Sequence, residues 1–161
     1  MIFEEIISNL KEAFTEDVIL SINESASPKC IELKAEDLLQ CMEHLHATEG
    51  LYFDTLSCIT GLDNGIEANS MEVIYNLYSI PYNHHLMVKV FVDREKPVID
   101  SLTPLWKTAD WQEREVYDLF GIHFNNHPDL RRILLPEDWE GHPLRKDYKH
   151  QEYYRGIKVE Y

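Results

Sequence analysis

Apolar positions along this chain alternate between two periods. Phe3, Ile6, Ile7, Leu10 and Phe14 recur three or four residues apart, which predicts an amphipathic helix over 3–14. Short β-branched runs at 18–22 and, after Pro28, at 29–33 predict two strands. The helical period returns with Leu38, Leu39, Met42, Leu45 and His46 on one face, and Glu36 and Asp37 stand where anions suit the positive end of a helix. Alternation then predicts strands over 51–59, 71–80 and 86–92, the last with Leu86, Val88, Val90 and Val92 on one face. The connections G-L-D-N-G-I-E-A-N-S and P-Y-N-H-H are too short for parallel crossovers, so these three strands are expected to be antiparallel neighbours.

Ile99, Leu102, Leu105 and Trp106 predict a short helix over 98–106, with Pro104 near its start. A stronger helix is expected from Asp110, capped by Asp110 with Glu113 three residues on, and closed by Gly121 in a left-handed C-terminal cap. Beyond Gly121 the pattern breaks. Pro128, Pro136 and Pro143 punctuate the chain, and no apolar period holds past Ile133-Leu134-Leu135. The expected fold is α+β: a small antiparallel or mixed sheet with helices on one side, followed by an extended C-terminal tail. Two parts are expected, a body over 1–121 and an extended, partner-binding arm over 122–161. The arm is too long for an ordinary loop, and in the chain alone residues 125–161 are expected to be mobile or held by a crystal or homodimer contact.

Composition is that of a globular chain, with 44% hydrophobic residues. The net charge of −14 is unevenly placed. Residues 1–120 carry 22 acidic and 8 basic groups, whereas 121–161 carry 7 of each, so the whole excess lies on the body. A nucleic-acid binder has the opposite bias. Cys30, Cys41 and Cys58 are scattered, with no C-x-x-C, which suggests buried thiols and supplies too few ligands for an iron–sulfur cluster. The N-terminal stretch is acidic where a signal peptide is basic, and no run is long enough to span a membrane. A soluble, cytoplasmic chain is expected, meeting a membrane only through partners.

Several groups are candidates for chemistry. Arg114 and Asp118 are i,i+4 neighbours, while Glu115 and Asp118 repel at i,i+3, so cations from elsewhere are expected, with Arg131, Arg132, Arg145 and Lys146 at hand. A solvated charged face is the plainer reading, and an acid–base pair of Glu113 and Glu115 is the catalytic one. His123 and His127 have metal spacing but follow a helix-ending glycine, and His84-His85 is expected as an exposed turn pair. Cys41 and His44 share a helix, where packing outweighs nucleophilic chemistry. In the tail, Leu130, Ile133, Leu134, Leu135, Trp139 and Leu144 supply apolar anchors beside the cations, the residue types of an interface.

The tail and the helix before it resemble a known family. E-R-E, two residues, an acid, two bulky apolar residues, six residues, His, three residues, Arg, one residue and two apolar residues are met by Glu113, Arg114, Glu115, Asp118, Leu119, Phe120, His127, Arg131, Ile133 and Leu134. The G-H-P-L-R-K-D of Gly141, His142, Pro143, Leu144, Arg145, Lys146 and Asp147 matches too. These residues resemble the 30 kDa subunit family, the C subunit of proton-pumping NADH:quinone oxidoreductase (respiratory complex I). After Tyr148 the family's Pro-Gly-rich ending is replaced by K-H-Q-E-Y-Y-R-G-I-K-V-E-Y.

The resemblance implies a non-catalytic subunit of the peripheral arm, on the cytoplasmic face of the cell inner membrane. It implies no cofactor in this chain, in a complex that contains FMN, iron–sulfur clusters and quinone. Implied partners are the quinone-site large subunit, the terminal-cluster subunit and the ferredoxin-like subunit. The implied partner-binding residues are Glu113, Arg114, Glu115, Asp118, Gly121, His127, Pro128, Arg131, Arg132, Trp139 and the segment from Gly141 to Asp147. The same signature also suits the equivalent subunit of membrane-bound hydrogenases or reduced-deazaflavin dehydrogenases.

Overall fold

The computed structural model describes residues 3–159. At its centre is a five-stranded mixed sheet in the order β1-β2-β5-β4-β3. The strands are β1 (Ile19–Asn23), β2 (Cys30–Leu33), β3 (Thr55–Asp63), β4 (Ser70–Ser79) and β5 (His84–Asp93). β3, β4 and β5 form an antiparallel meander, as their short connections require. β2 joins β5 in parallel, and β1 closes the far edge antiparallel to β2.

Alternation sorts the side chains by face. Met71, Val73, Tyr75 and Leu77 of β4 stand opposite Val92, Val90, Val88 and Leu86 of β5, and all are buried. Ile31 and Leu33 continue these rows across β2. Helices α1 (Phe3–Ala13), α2 (Leu38–Ala47) and α3 (Ala109–Phe120) share one core with this face, through Ile6 and Leu10, through Leu38, Met42 and Leu45, and through Val116 and Phe120. The other face stays open, with Cys58, Leu62 and Phe91 exposed. α3 packs directly on the sheet at Gly61. A Cβ there would stand 2.8 Å from Phe120 Cδ2 and 2.9 Å from Val116 Cγ1, so only glycine admits the helix at this distance.

The strand expected over 51–59 begins at Thr55 and runs on to Asp63. Leu51 and Phe53 are buried in the preceding loop instead, where Tyr52 has φ +32°, a left-handed conformation that no strand ladder accepts. The helix expected over 98–106 is a strand followed by a turn. β6 (Val98–Asp100) pairs in parallel with β7 (His123–Asn125). Leu102 O then accepts the N–H groups of Leu105 and Trp106, and this single turn accounts for the helical spacing. His84 is not an exposed turn residue: its Nε2 meets Leu51 O at 2.8 Å, and its ring packs near Phe53 and Tyr82.

α3 starts one residue before Asp110, with Thr108 as N-cap and no side-chain cap bond. The expected capping box fails because Glu113 turns inward to other donors, described below. Gly121 does close the helix, with φ +77° and its N–H on Tyr117 O at 2.9 Å. The core continues beyond it through Ile122 and Phe124, both buried in β7 or beside it. Residues 126–152 form neither helix nor strand, and β8 (Tyr153–Tyr154) pairs with β9 (Ile157–Lys158) near the end.

Candidate functional site

Arg114, Asp118, His127, Arg132 and His142 of the signature meet along a seam between α3 and the tail. Asp110, Arg114 and Asp118 are four residues apart, so they line one face of α3. Each holds the next piece of tail. Asp110 O accepts from His127 Nε2 at 3.0 Å, and the Asp129 N–H on Nδ1 fixes that tautomer. Arg114 donates to the carbonyls of Arg131 and Arg132, each at 3.1 Å. Asp118 accepts Arg132 Nη1 on one oxygen at 2.7 Å, and on the other the N–H groups of Ile133, Leu134 and Leu135 at 3.0, 2.8 and 2.9 Å. Residues 127–135 therefore run beside α3 in the same direction. Burial pushes the Asp118 carboxyl up, but the Leu135 N–H, Arg132 and the other two N–H groups outweigh it and hold the group below its ordinary range.

Arg132 then turns the chain. Its Nη2 reaches Trp139 O at 2.9 Å and Gly141 O at 2.8 Å. Trp139 Nε1 donates to Tyr148 Oη at 3.0 Å. His142 Nδ1–H donates to Asp118 O at 2.9 Å, and Leu144 N–H to Leu119 O at 3.0 Å. The His142 ring sits where Gly121 would carry a Cβ, 2.6 Å from that point, so Gly121 serves both the helix cap and the seam. Pro128 is exposed and Pro143 half-buried, without a polar role.

A second anchor escaped the sequence reading. Asp63, at the end of β3, accepts Arg94 Nε at 2.8 Å and Nη2 at 2.9 Å in a fork, and takes the Lys146 N–H at 2.8 Å. Arg94 also bonds Asp147 Oδ1, while its carbonyl accepts Arg145 Nη2 at 2.9 Å. Lys146 Nζ reaches Asn64 O at 3.3 Å. The Arg94 guanidinium, against the cost of burial and with the Lys146 and Gly65 N–H groups, holds Asp63 well below the usual carboxylate range. Asp63 and Lys146 are 83 residues apart. The only local signal was the D-N-G turn, in which Asp63 also accepts the Gly65 N–H.

The three residues of E-R-E have three fates. Glu113 is fully buried, accepting Ser101 Oγ at 2.6 Å and the Leu102 N–H at 2.7 Å. Burial raises its carboxyl to about 7 against those two bonds, and the Asp110 charge adds to the rise. His127 Nε2 lies 4.0 Å away, and the Tyr75 hydroxyl, buried without a hydrogen-bond partner among the described residues, feels the Glu113 charge. Arg114 turns to the tail, and Glu115 faces solvent. Glu113 and Glu115 therefore do not converge as an acid–base pair. Arg131 is also exposed, and among the described residues it pairs with its neighbour Asp129.

Cys30 and Cys41 are buried and Cys58 is exposed, and burial pushes the Cys41 thiol up to about 12. Among the described residues no three His, Cys, Asp or Glu side chains gather as metal ligands. These thiols do not fit an iron–sulfur cluster. No helix among the described residues is long and apolar enough to cross a membrane.

The α+β body has solved counterparts. A trypsin-resistant fragment, residues 1–134, of Nqo5 superposes with a TM-score of 0.67 at 31% identity, covering 81% of this chain and 100% of the fragment. A chain of the membrane-bound sulfane sulfur reductase, an archaeal respiratory membrane complex, shares the fold with a TM-score of 0.75 at 21% identity, over 91% of this chain and 85% of that one. Residues 31–154 match the family model described as respiratory-chain NADH dehydrogenase, 30 Kd subunit. The chain belongs to this family. It is 42% identical over 143 residues to the C subunit of the NADH-quinone oxidoreductase of Geobacter metallireducens, covering 88% of this chain and 86% of that protein. Against the corresponding protein of Chloroherpeton thalassium it is 53% identical over 114 residues, 70% of this chain but 47% of the relative's length.

Proposed function

We propose that this chain is a non-catalytic structural and assembly subunit of the peripheral arm of a proton-translocating NADH:quinone oxidoreductase. It supports electron transfer from NADH to quinone by holding the subunits around the quinone site in register. The observation that carries this reading is the use of the signature groups. Glu113, Arg114, Asp118 and Arg132 are all engaged in shaping the chain, with their polar atoms turned to backbone, to the Ser101 hydroxyl or to one another. Arg114, Asp118 and Arg132 set the course of the tail, Glu113 ties α3 to the 101–102 turn, and no reacting pair among them faces a cleft.

FMN and the iron–sulfur clusters would then belong to other subunits and supply the redox chemistry there. The partners are the quinone-site large subunit, the terminal-cluster subunit and the ferredoxin-like subunit, on the cytoplasmic face of the cell inner membrane. Of the arm expected over 122–161, the part beyond β7 acts as the partner-binding segment, because Ile122 and Phe124 are buried in the core and β7 pairs with β6. Leu134, Leu144, Tyr153 and Ile157 are 51–69% exposed along it, apolar anchors of the kind that partners bury. The trypsin resistance of the Nqo5 fragment, which matches 81% of this chain, supports a compact body with a separable extension.

Purification of the tagged chain from its own cells in mild detergent tests this. Flavin- and cluster-bearing subunits with NADH:quinone activity are the expected companions. Hydrogenase- or reduced-deazaflavin-dehydrogenase-type subunits would retain the architecture and change the electron donor. A colourless monomer, from membranes and cytosol alike, would overturn both.

A further inference from the structure

α3 presents two ridges to the outside, and the tail covers only one. The Asp110, Arg114 and Asp118 ridge lies under residues 127–135. Trp111 and Glu115, one turn apart, form the ridge beside it. Trp111 is 70% exposed. No hydrogen bond or ion pair reaches the Glu115 carboxylate from any described residue, while Glu113 and Asp118 on the same helix are fully buried and bonded. Leu134, anchored by its N–H to Asp118 three residues beyond Glu115, adds a side chain that is 61% exposed.

The cations of the seam are engaged elsewhere. Arg114 is turned to two tail carbonyls, Arg131 to Asp129, Arg132 to Asp118, Arg145 to Arg94 O and Lys146 to Asn64 O. The tail's charges sum to zero, so it brings no surplus cation to a body that carries the whole −14. Glu115 is thus a carboxylate beside an indole on a packed helix, with no counter-ion among the described residues. Trp is enriched at binding hot spots, and an adjacent unpaired charge selects the partner and sets the register.

We propose that the Trp111–Glu115 ridge is a docking surface for a partner subunit that offers an apolar pocket for the indole and an arginine or lysine for the carboxylate. This rests on the subunit role proposed above and names the chemistry of the contact. It also assigns separate duties within one helix: three residues hold the tail, and two face outward.

The test uses the full-length tagged chain expressed in its own cells. Trp111→Ala and Glu115→Arg should each lower the yield of co-purified subunits about tenfold, with Glu115→Gln between Glu115→Arg and the native chain. Raising salt should shrink the difference between Glu115→Gln and native. The isolated variants should melt with the native chain, since neither side chain has an internal polar role. A photo-crosslinking residue in place of Trp111 should form an adduct with a subunit that co-purifies. Native yields from both variants, adducts absent or formed only with a second copy, or variants that melt early would overturn the proposal. If the unmodified chain recovers no subunits, the subunit role itself falls, and the docking proposal falls with it.

Discussion

Arg132 meets Asp118 at 2.7 Å with the carboxylate fully buried and the guanidinium only 16% exposed. Fourteen residues separate them. Every other polar contact of the pair goes to backbone: three N–H groups on the carboxylate and the Asp118, Trp139 and Gly141 carbonyls on the guanidinium. Two buried opposite charges, each with its remaining hydrogen bonds made, can hold an irregular chain where no ladder or helix is available. The expectation of a mobile tail is therefore revised: up to Tyr148 the tail lies on its own body.

Removing one partner of this pair leaves the other buried and uncompensated. Arg132→Ala and Asp118→Asn should each destabilise the chain by about 3 kcal/mol in urea denaturation. Limited proteolysis should then cut within 127–159 before the body opens. Arg132→Lys should recover only part, because an ammonium cannot reproduce the forked contacts. Proteolysis of Arg132→Ala at the native rate would show that Asp118 does not hold the tail.

The Arg94–Asp63 fork should behave like a core pair, at 8% and 1% exposure. Arg94→Ala should cost about 3 kcal/mol. Asp147, at 42% exposure, bonds the same guanidinium from the rim, and Asp147→Asn should cost under about 1 kcal/mol. Hydrogen exchange should rise around 145–148 in Arg94→Ala. Equal costs for the two substitutions would contradict the division into buried and rim contacts.

Stability should fall on both sides of a pH maximum. Glu113 is raised from 4.5 to about 7 in the fold, so its contribution is full below 4.5 and is lost as pH rises through about 7. That loss is worth about 3 kcal/mol, at about 1.4 kcal/mol per pH unit. Glu113→Gln should flatten this limb. Asp63 is lowered from 3.8, chiefly by Arg94, so its contribution is present above 3.8 and is lost as pH falls below it. Urea midpoints measured from about pH 3 to 8 test both slopes. An unchanged alkaline limb in Glu113→Gln would remove Glu113 as its cause.

Gly121→Ala should cost about 1–2 kcal/mol for the left-handed backbone at φ +77°, and more for the clash with the His142 ring. Adding His142→Ala should relieve the clash and leave the strain. Thermal melts of the two single variants and the double variant separate these parts; strict additivity would mean that the ring does not press on residue 121.

Much of the body was legible because its elements repeat their own signals. Alternation in β4 and β5 marks the buried row from Met71 to Leu77 and its partners, and the short turns demand an antiparallel meander. Gly121 announces the end of α3 by itself. The failures share a cause. Helical spacing at 98–106 spans too few turns to outweigh a parallel pairing with 123–125, which lies far along the chain. The capping box assigned to Asp110 and Glu113 is local, and Ser101 and the Leu102 N–H, brought in by the fold, took the carboxylate instead.

By itself the sequence determined the α+β class, the order of the main strands and helices, and the residues of the signature, since periodicity, turn chemistry and spacing act between near neighbours. Which of those residues turn inward was decided only in three dimensions. Glu113, Arg114 and Glu115 are adjacent and equally charged in magnitude, yet one is buried, one holds the tail and one is exposed. The reason is geometric. A helix turns about 100° per residue, so each side chain meets a different neighbour, and those neighbours arrive from segments that spacing alone does not bring together.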